Sequence, residues 1–378
     1  MSDLLNYTAE DVICQDILCE IDTKFKPRKL QNEMLAASYG RIGWYNRASR
    51  VAQCGTLLEW QPVLPAEPNG APARGSVGSL EEQKHYKLTN ANFCRDRLCP
   101  MCAWRRSYKI FGQVSRVMNY ITSEYKNSYD FIFVTLTVPN CPADELDKTI
   151  DKLLKSYDRL VHYKRVKRAI KGFFRALEVT RNNDPTSKSF GTFHPHIHVV
   201  FVVDNKYFKG ADYIKRDDWL LMWQKATKDP TITQVDVRKA GKKKKAGQTE
   251  EQALASAVAE IAKYAVKGSD FLGKMDKDGN VVAPLPEKMQ DDIIKVLAPA
   301  LAYRRLCAFG GIFEEVRKLL NLDDPEDGDL VHTEDKLNAD ITTMIYRFGW
   351  SCGAYKLIQV VPKTNMNRTN VIIECEDE

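Results

Sequence analysis

The sequence contains no long apolar run. Its longest stretches, such as Val199–Val203, fall far short of the ~20 residues that span a bilayer, which excludes a transmembrane helix. Net charge is also low: 56 Lys and Arg against 50 Asp and Glu leave +6, too small an excess to separate a nucleic-acid binder from a housekeeping enzyme. The opening MSDLLNYTAEDVICQD lacks the basic and apolar regions of a secretory signal, so a cytoplasmic protein with no membrane partner is expected. Composition shows no mark of disorder or collagen, and 378 residues allow two or three domains at about 150 residues each. Cysteine is present, ten in all, with Cys94, Cys99 and Cys102 crowded together; in a reducing compartment such crowding favours a metal over disulfides.

Charge is segregated along the chain. Six acids and no Lys or Arg occupy the first 22 residues, seven acids lie between Asp323 and Asp335, and four more close the chain from Glu374 to Glu378. Such blocks are expected as solvated, mobile edges. Three basic regions oppose them: Arg95–Lys126, Lys152–Lys171 and Arg238–Lys245. Pro62–Ser79, with four prolines and three glycines, reads as a loop. Beyond Asp130 the pattern is regular: FIFVTLTV, FFRALEVT, HIHVVFVV and TITQVDVR read as strands. Leu146, Ile150, Leu153, Tyr157 and Leu160 mark a helix after the first, and Tyr213–Ala226 a helix before the fourth. The order β, α, β, β, α, β predicts an α+β fold built on a split βαβ antiparallel sheet, ferredoxin-like, with helices on one face.

Histidine is scarce, yet three of the six, His194, His196 and His198, fall within five residues. Strand side chains alternate, so His196 and His198 share one face while Ile197, Val199 and Phe201 face a core. Glu178, between Leu177 and Val179 on the preceding strand, points away from that core and completes a His/His/carboxylate set, with His194 or water as the alternative third ligand. Such a set suits Mg²⁺ or Mn²⁺ beside a phosphate, and Zn²⁺ also fits.

Thr249 and Gln252 resemble a capping box that opens a helix running to about Lys267. At about 100° per residue, Leu254, Val258, Ile261 and Ala265 form one apolar stripe, and Glu260, Tyr264 and Lys267 share the opposite side. A tyrosine of pKa ~10 needs charge stabilisation or proton removal before it attacks a phosphate; Lys267 and a metal offer the first, Glu260 the second.

Cys99 and Cys102 form a Cys-x2-Cys knuckle, with Cys94 just upstream and Cys54 beyond the loop. Four thiolates would close a structural zinc site, His85 being the substitute for Cys54. Arg105, Arg106 and Lys109, interleaved with Trp104 and Tyr108, read as a DNA-contacting and base-stacking surface, and Lys242, Lys243, Lys244 and Lys245 as a phosphate-contacting run.

The motifs TLTVPN (Thr135–Asn140), HPHIHVVF (His194–Phe201) and EIAKYAVK (Glu260–Lys267), in that order after CRDRLCPMCAWRR, resemble those of the bacterial rolling-circle plasmid replication initiators of the HUH endonuclease superfamily. The likeness covers about Cys54 to Phe271, and more weakly LAYRRLCAFGGIFEEV. It implies that Tyr264 attacks a phosphodiester of the plasmid's double-strand origin, leaving a 5′-phosphotyrosine and a 3′-OH primer. By motif position His196 and His198 bind the metal, Glu178 is the third ligand, and Glu260 activates water for terminal hydrolysis. A single-stranded nick site within a hairpin, a host superfamily 1 DNA helicase and a homodimer are the implied partners. The expected layout is an acidic arm (1–50), a zinc-binding module (51–125), an HUH core (126–275) and a mainly helical C-terminal region (276–378). Two other readings share the motifs: a single-tyrosine HUH transposase or relaxase, and a zinc-stabilised DNA-binding regulator without catalysis.

Overall fold

The computed structural model describes residues 9–63, 85–125, 128–240, 258, 262, 265–332 and 344–362. Along them run α1 (Ala9–Lys24), α2 (Lys26–Arg41), α3 (Tyr45–Ala52), β1 (Leu57–Val63), β2 (His85–Ala91), α4 (Pro100–Glu124), β3 (Tyr129–Thr137), α5 (Leu146–Val161) and α6 (Lys164–Ala169). There follow β4 (Ile170–Arg181), β5 (Phe193–Asp204), α7 (Arg216–Thr227), β6 (Val235–Lys239), β7 (Gly273–Met275), β8 (Val281–Pro284) and α8 (Glu287–Leu301). The last are β9 (Cys307–Gly311), α9 (Ile312–Leu319), β10 (Met344–Ser351) and β11 (Ala354–Pro362). No helix among the described residues is long and apolar enough to cross a membrane. The elements form two compact units that follow a different division from the expected one: the described parts of 1–26, 55–92 and 335–378 make one, those of 27–54 and 93–334 the other.

In the second unit the sheet order is β6-β3-β5-β4-β9, every pair antiparallel. Its first four strands are the four expected, in split βαβ arrangement. Helices cover both faces, which corrects the one-faced expectation, and the cause is visible in β5. Val199, Val200, Phe201, Val202 and Val203 are all fully buried, and a strand apolar on both sides needs cover on both. On one side Phe131, Phe133, Phe174, Val200 and Val202 pack with Val114, Val117 and Ile121 of α4 and Phe313 and Val316 of α9. On the other stand α5 and α7. Ile150, Leu153 and Leu160 of α5 are wholly buried, each stabilising the unit by about 1.5–3 kcal/mol relative to exposure. Strand β9 joins the far edge of β4, where a Cβ on Gly310 would lie 2.4 Å from the Phe173 ring, so only glycine permits the approach.

The two ends of the chain overturn two expectations. The N-terminal segment from Ala9 is helical rather than a solvated arm: Ile17, Ile21 and Phe25, spaced by four, are buried, and Phe25 meets Trp60 edge-on at 5.6 Å. The C-terminal region is not mainly helical, since β9, β10 and β11 are strands. The order β11-β10-β1-β2 sets β1 between a neighbour in sequence and one from the far end of the chain, tied by the Glu59–Arg347 ion pair at 2.7 Å. Cys352 and Gly353, both at positive φ, make the two-residue turn of the β10–β11 hairpin.

Candidate functional site

Glu178 on β4 stands directly opposite His196 on β5, and His198 stands opposite Thr135 on β3. The strand period brings the three site residues to one face, at the end of the sheet where α4 and α9 leave off. Glu178 Oε2 lies 3.3 Å from His196 Nε2 and 3.0 Å from His198 Nε2, and Lys267 Nζ lies 2.8 Å from Glu178 Oε1. Glu178 and His196 are buried. Burial alone would raise the Glu178 carboxyl, but hydrogen bonds from His196, His198 and Lys267, with the Lys267 charge, hold it well below the usual carboxylate range.

The donor set tests its own fitness for a cation. His196 Nδ1 is 3.1 Å from the His194 carbonyl, which only accepts, so Nδ1 carries the proton. Without a second proton, His196 would aim its Nε2 lone pair at a carboxylate oxygen. Two acceptors at that distance require a second proton or a cation between them. Adjacent ligands of an octahedral ion at about 2.1 Å are about 3.0 Å apart, close to the spacings found. Glu178, His196 and His198 therefore can hold a metal ion. His194, offered as an alternative ligand, instead stacks on His196 at 5.1 Å and supplies its carbonyl. Burial and the neighbouring His196 push its imidazole pKa down. Thr135, which meets His198 Nδ1 at 3.2 Å, was not singled out from sequence, although its place across from the motif on a strand was the available signal.

Tyr264, Glu260 and Lys242, Lys243, Lys244 and Lys245 lie outside the described residues. Their described neighbours sit beside the cluster. Ala262 N donates to Val258 O at 2.8 Å, an i to i−4 helical bond, and both residues are buried in the α4 face of the core. The Ala265 carbonyl accepts from Val179 N–H at 2.7 Å, next to Glu178. Lys267 was expected on the helix face with Glu260 and Tyr264; it is extended, at φ −84° and ψ 143°, and pairs with Glu178. Asp270 accepts from Lys267 N–H at 3.2 Å, and burial pushes its carboxyl up to about 6.

The four cysteine sulfurs also converge. Cys54 Sγ is 3.6 Å from both Cys99 Sγ and Cys102 Sγ, and Cys94 Sγ is 3.8 Å from Cys102 Sγ. Pro100 opens α4 at a position where its missing N–H costs nothing, and Cys99 caps the helix by accepting from Cys102 N–H. Arg95 N–H points at Cys102 Sγ and Asp96 N–H at Cys94 Sγ. This group can hold a metal ion. The alternative ligand His85 begins β2, in register with Val63.

Arg105, Arg106 and Lys109 correct the expected DNA surface, for they are 7%, 4% and 2% exposed. Arg105 donates to the Leu330 and Val331 carbonyls, both at 2.8 Å, and Arg106 to those of Arg95, Asp96 and Glu326. Lys109 binds the Asp323 carboxylate and the Asp329 carbonyl. The acidic block expected to be a mobile edge is, over residues 323–332, the counter-charge of this basic helix. Glu326, itself buried, pairs with Arg97 and accepts from Cys307 N–H on the open edge of β9.

A family described as Replication protein is matched over residues 85–356. A "Protein rep" of Streptococcus pneumoniae serotype 2 is 34% identical over 317 residues, covering 83% of this chain and 85% of its own. One from a Bacillus species is 40% identical over 265 residues (68% and 80%), and one from Lactiplantibacillus plantarum 32% identical over 315 (82% and 86%). No solved structure matches.

Proposed function

We propose, from the premise that this chain belongs to the replication protein family and is a rolling-circle plasmid replication initiator, that it nicks one strand of the double-strand origin through Tyr264. The observation that carries the reading is the buried carboxylate between two imidazoles, with the segment directly after Tyr264 hydrogen-bonded to the residue beside that carboxylate. Tyr264 Oη forms a bond to phosphorus as the P–O3′ bond breaks; the 5′ phosphate stays on the tyrosine and the 3′ oxygen leaves as a hydroxyl primer. The phenol proton passes to solvent and the departing 3′ oxygen gains one from it; in the terminal step Glu260 takes the proton of the water that hydrolyses the product end. His196, His198 and Glu178 hold Mg²⁺ or Mn²⁺, which when bound supplies positive charge to the scissile phosphate. Lys267 balances the Glu178 charge, and with the Ala265 carbonyl on Val179 N–H it ties the chain after Tyr264 to β4. Cys54, Cys94, Cys99 and Cys102 hold a structural Zn²⁺. Nicking does not unwind a duplex, so a host helicase is the expected partner.

The test is Tyr264→Phe. The variant should bind an origin oligonucleotide within about threefold of the parent, give no covalent adduct on a denaturing gel, and leave a supercoiled origin plasmid closed with Mg²⁺ or Mn²⁺. A protease-sensitive adduct formed by that variant would remove Tyr264 from the mechanism. A parent protein that binds the origin and never nicks it is a regulator instead.

A further inference from the structure

The basic block Lys152–Lys171 plays no part in the site above, yet it lines a cavity of about 480 Å³ with β4 and the turn into α9. Around it stand Tyr157, Asp158, His162, Lys167, Lys171 and Arg175. By the strand period Arg175 lies on the opposite face of β4 from Glu178, about 10 Å along the strand.

A buried hydroxyl and a half-buried cation there lack an adequate partner. Tyr157 is 3% exposed, and its hydroxyl has no hydrogen-bond partner among the described residues. Arg175 sits with its guanidinium 5.7 Å from the Tyr157 ring centre and has no carboxylate within ion-pair distance among the described residues. Its guanidinium reaches only the Arg305 carbonyl, at 3.4 Å, the long limit for such a bond. A partly buried cation without counter-charge and a buried hydroxyl without a partner are each costly unless something fills the space. The rim points the same way: Lys167 and Lys171 are exposed, two cations against the single exposed carboxylate of Asp158. The outward arginines of the block are neutralised elsewhere, Arg165 by Asp218 and Arg168 by Asp212.

We infer that this cavity is a second anion site, which takes a phosphate group between the Arg175 guanidinium, the Tyr157 hydroxyl and the two rim lysines. A phosphate offers several acceptor oxygens and the missing negative charge. Its source is either the backbone of the DNA or a free phosphate, and the DNA source rests on the initiator reading above.

The experiment uses the full chain and the double variant Lys167→Gln/Lys171→Gln, whose changes lie on the exposed rim, with Arg175→Gln as a second variant. Thermal unfolding is compared in sodium phosphate and sodium chloride at matched ionic strength, and affinity for a duplex oligonucleotide is titrated against salt. Phosphate should raise the Tm of the parent and not that of either variant. For a DNA source, the rim variant should bind duplex about tenfold more weakly, with a slope of log K on log salt shallower by about 0.9 per lost phosphate contact. Loss of the phosphate effect with unchanged duplex affinity would support the site and assign a free phosphate. Equal melting in the two salts, together with unchanged duplex binding by the rim variant, would overturn the inference. Nicking of a single-stranded oligonucleotide, read in parallel, should not differ between parent and rim variant; its absence from the parent would sink the nickase reading and leave the phosphate result standing.

Discussion

Replacing Cys102 by serine tests the metal reading of the cysteine group most sharply. A tetrahedral Zn²⁺ with Zn–S distances of about 2.3 Å places its sulfurs about 3.8 Å apart. The three spacings found, 3.6, 3.6 and 3.8 Å, match that figure. Cys102 takes part in two of the three contacts and also accepts from Arg95 N–H at 3.2 Å. Structural zinc sites are worth about 10–16 kcal/mol for four ligands, so about 3–4 kcal/mol rests on one, a hundredfold to thousandfold weakening of zinc affinity. At 2–4 °C per kcal/mol for a unit of this size, Tm should fall by roughly 6–15 °C. The assay combines metal analysis with melting curves in the presence and absence of a chelator. The parent should carry one zinc per chain and lose more stability to the chelator than to the substitution. Burial, and hydrogen bonds shared with Cys102, Cys54 and Cys94, raise the Cys99 thiol well above its usual range, so zinc must displace protons and its affinity should climb with pH. A mere core of reduced thiols makes a different forecast: the hydroxyl costs about 1–3 kcal/mol whether or not chelator is present, and no zinc is found. That outcome would refute the reasoning.

Further expectations concern the catalytic and basic residues. Glu260→Ala should still nick and form the tyrosine adduct but stall at terminal hydrolysis; product release at the parental rate would strip Glu260 of its role. Arg105→Ala should lower stability by about 3–5 kcal/mol, since the Leu330 and Val331 carbonyls lose charge-assisted partners, and leave the DNA affinity of the folded protein within twofold. A tenfold affinity loss without a change in Tm would restore that residue to the DNA surface. Asp270 has its carboxyl raised from 3.8 to about 6, so the folded state binds the proton more tightly than the unfolded one. The resulting stability is present below pH 3.8 and disappears as pH rises through about 6, on the order of 3 kcal/mol. Asp270→Asn should therefore be more stable than the parent at pH 7.5 and flatten the profile between pH 4 and 6, as followed by urea unfolding.

Much of the catalytic sheet was legible because its signals are local. Alternation along HIHVVFVV identified the face shared by His196 and His198, and the apolar neighbours of Glu178 identified its direction. The same strand also held the clue to the second helical layer, in five consecutive buried residues, but a continuous run cannot announce which elements will cover it. The roles of Arg105, Arg106 and Lys109 were hidden for a different reason. Their partners at Asp323–Val331 lie more than 200 residues away, and a charged residue reads the same in sequence whether it faces solvent or a distant acceptor. Lys267 was misplaced by extending a helical wheel to a residue whose backbone is extended. Ile17, Ile21 and Phe25 carried a readable spacing that the surrounding acids concealed. The β10–β11 hairpin was equally readable from Tyr346, Phe348 and Trp350 ahead of a Cys-Gly turn.

The position of β1 bears on how the chain is made. Leu58 and Trp60 end up buried in a strand whose second neighbour, β10, begins almost three hundred residues later. At about 5–20 residues per second, a ribosome needs roughly 15–60 seconds to deliver that neighbour. Throughout that interval the nascent β1–β2 pair presents an open edge with apolar side chains, the kind of surface that chaperones cover and that otherwise aggregates. The second unit waits as well, since α4 packs with α9 and Arg105 finds the Leu330 carbonyl only after about two hundred further residues. Shortened chains that omit Met344–Pro362 would leave β1 permanently without its partner, and their insolubility would reflect an unfinished sheet rather than a damaged catalytic core.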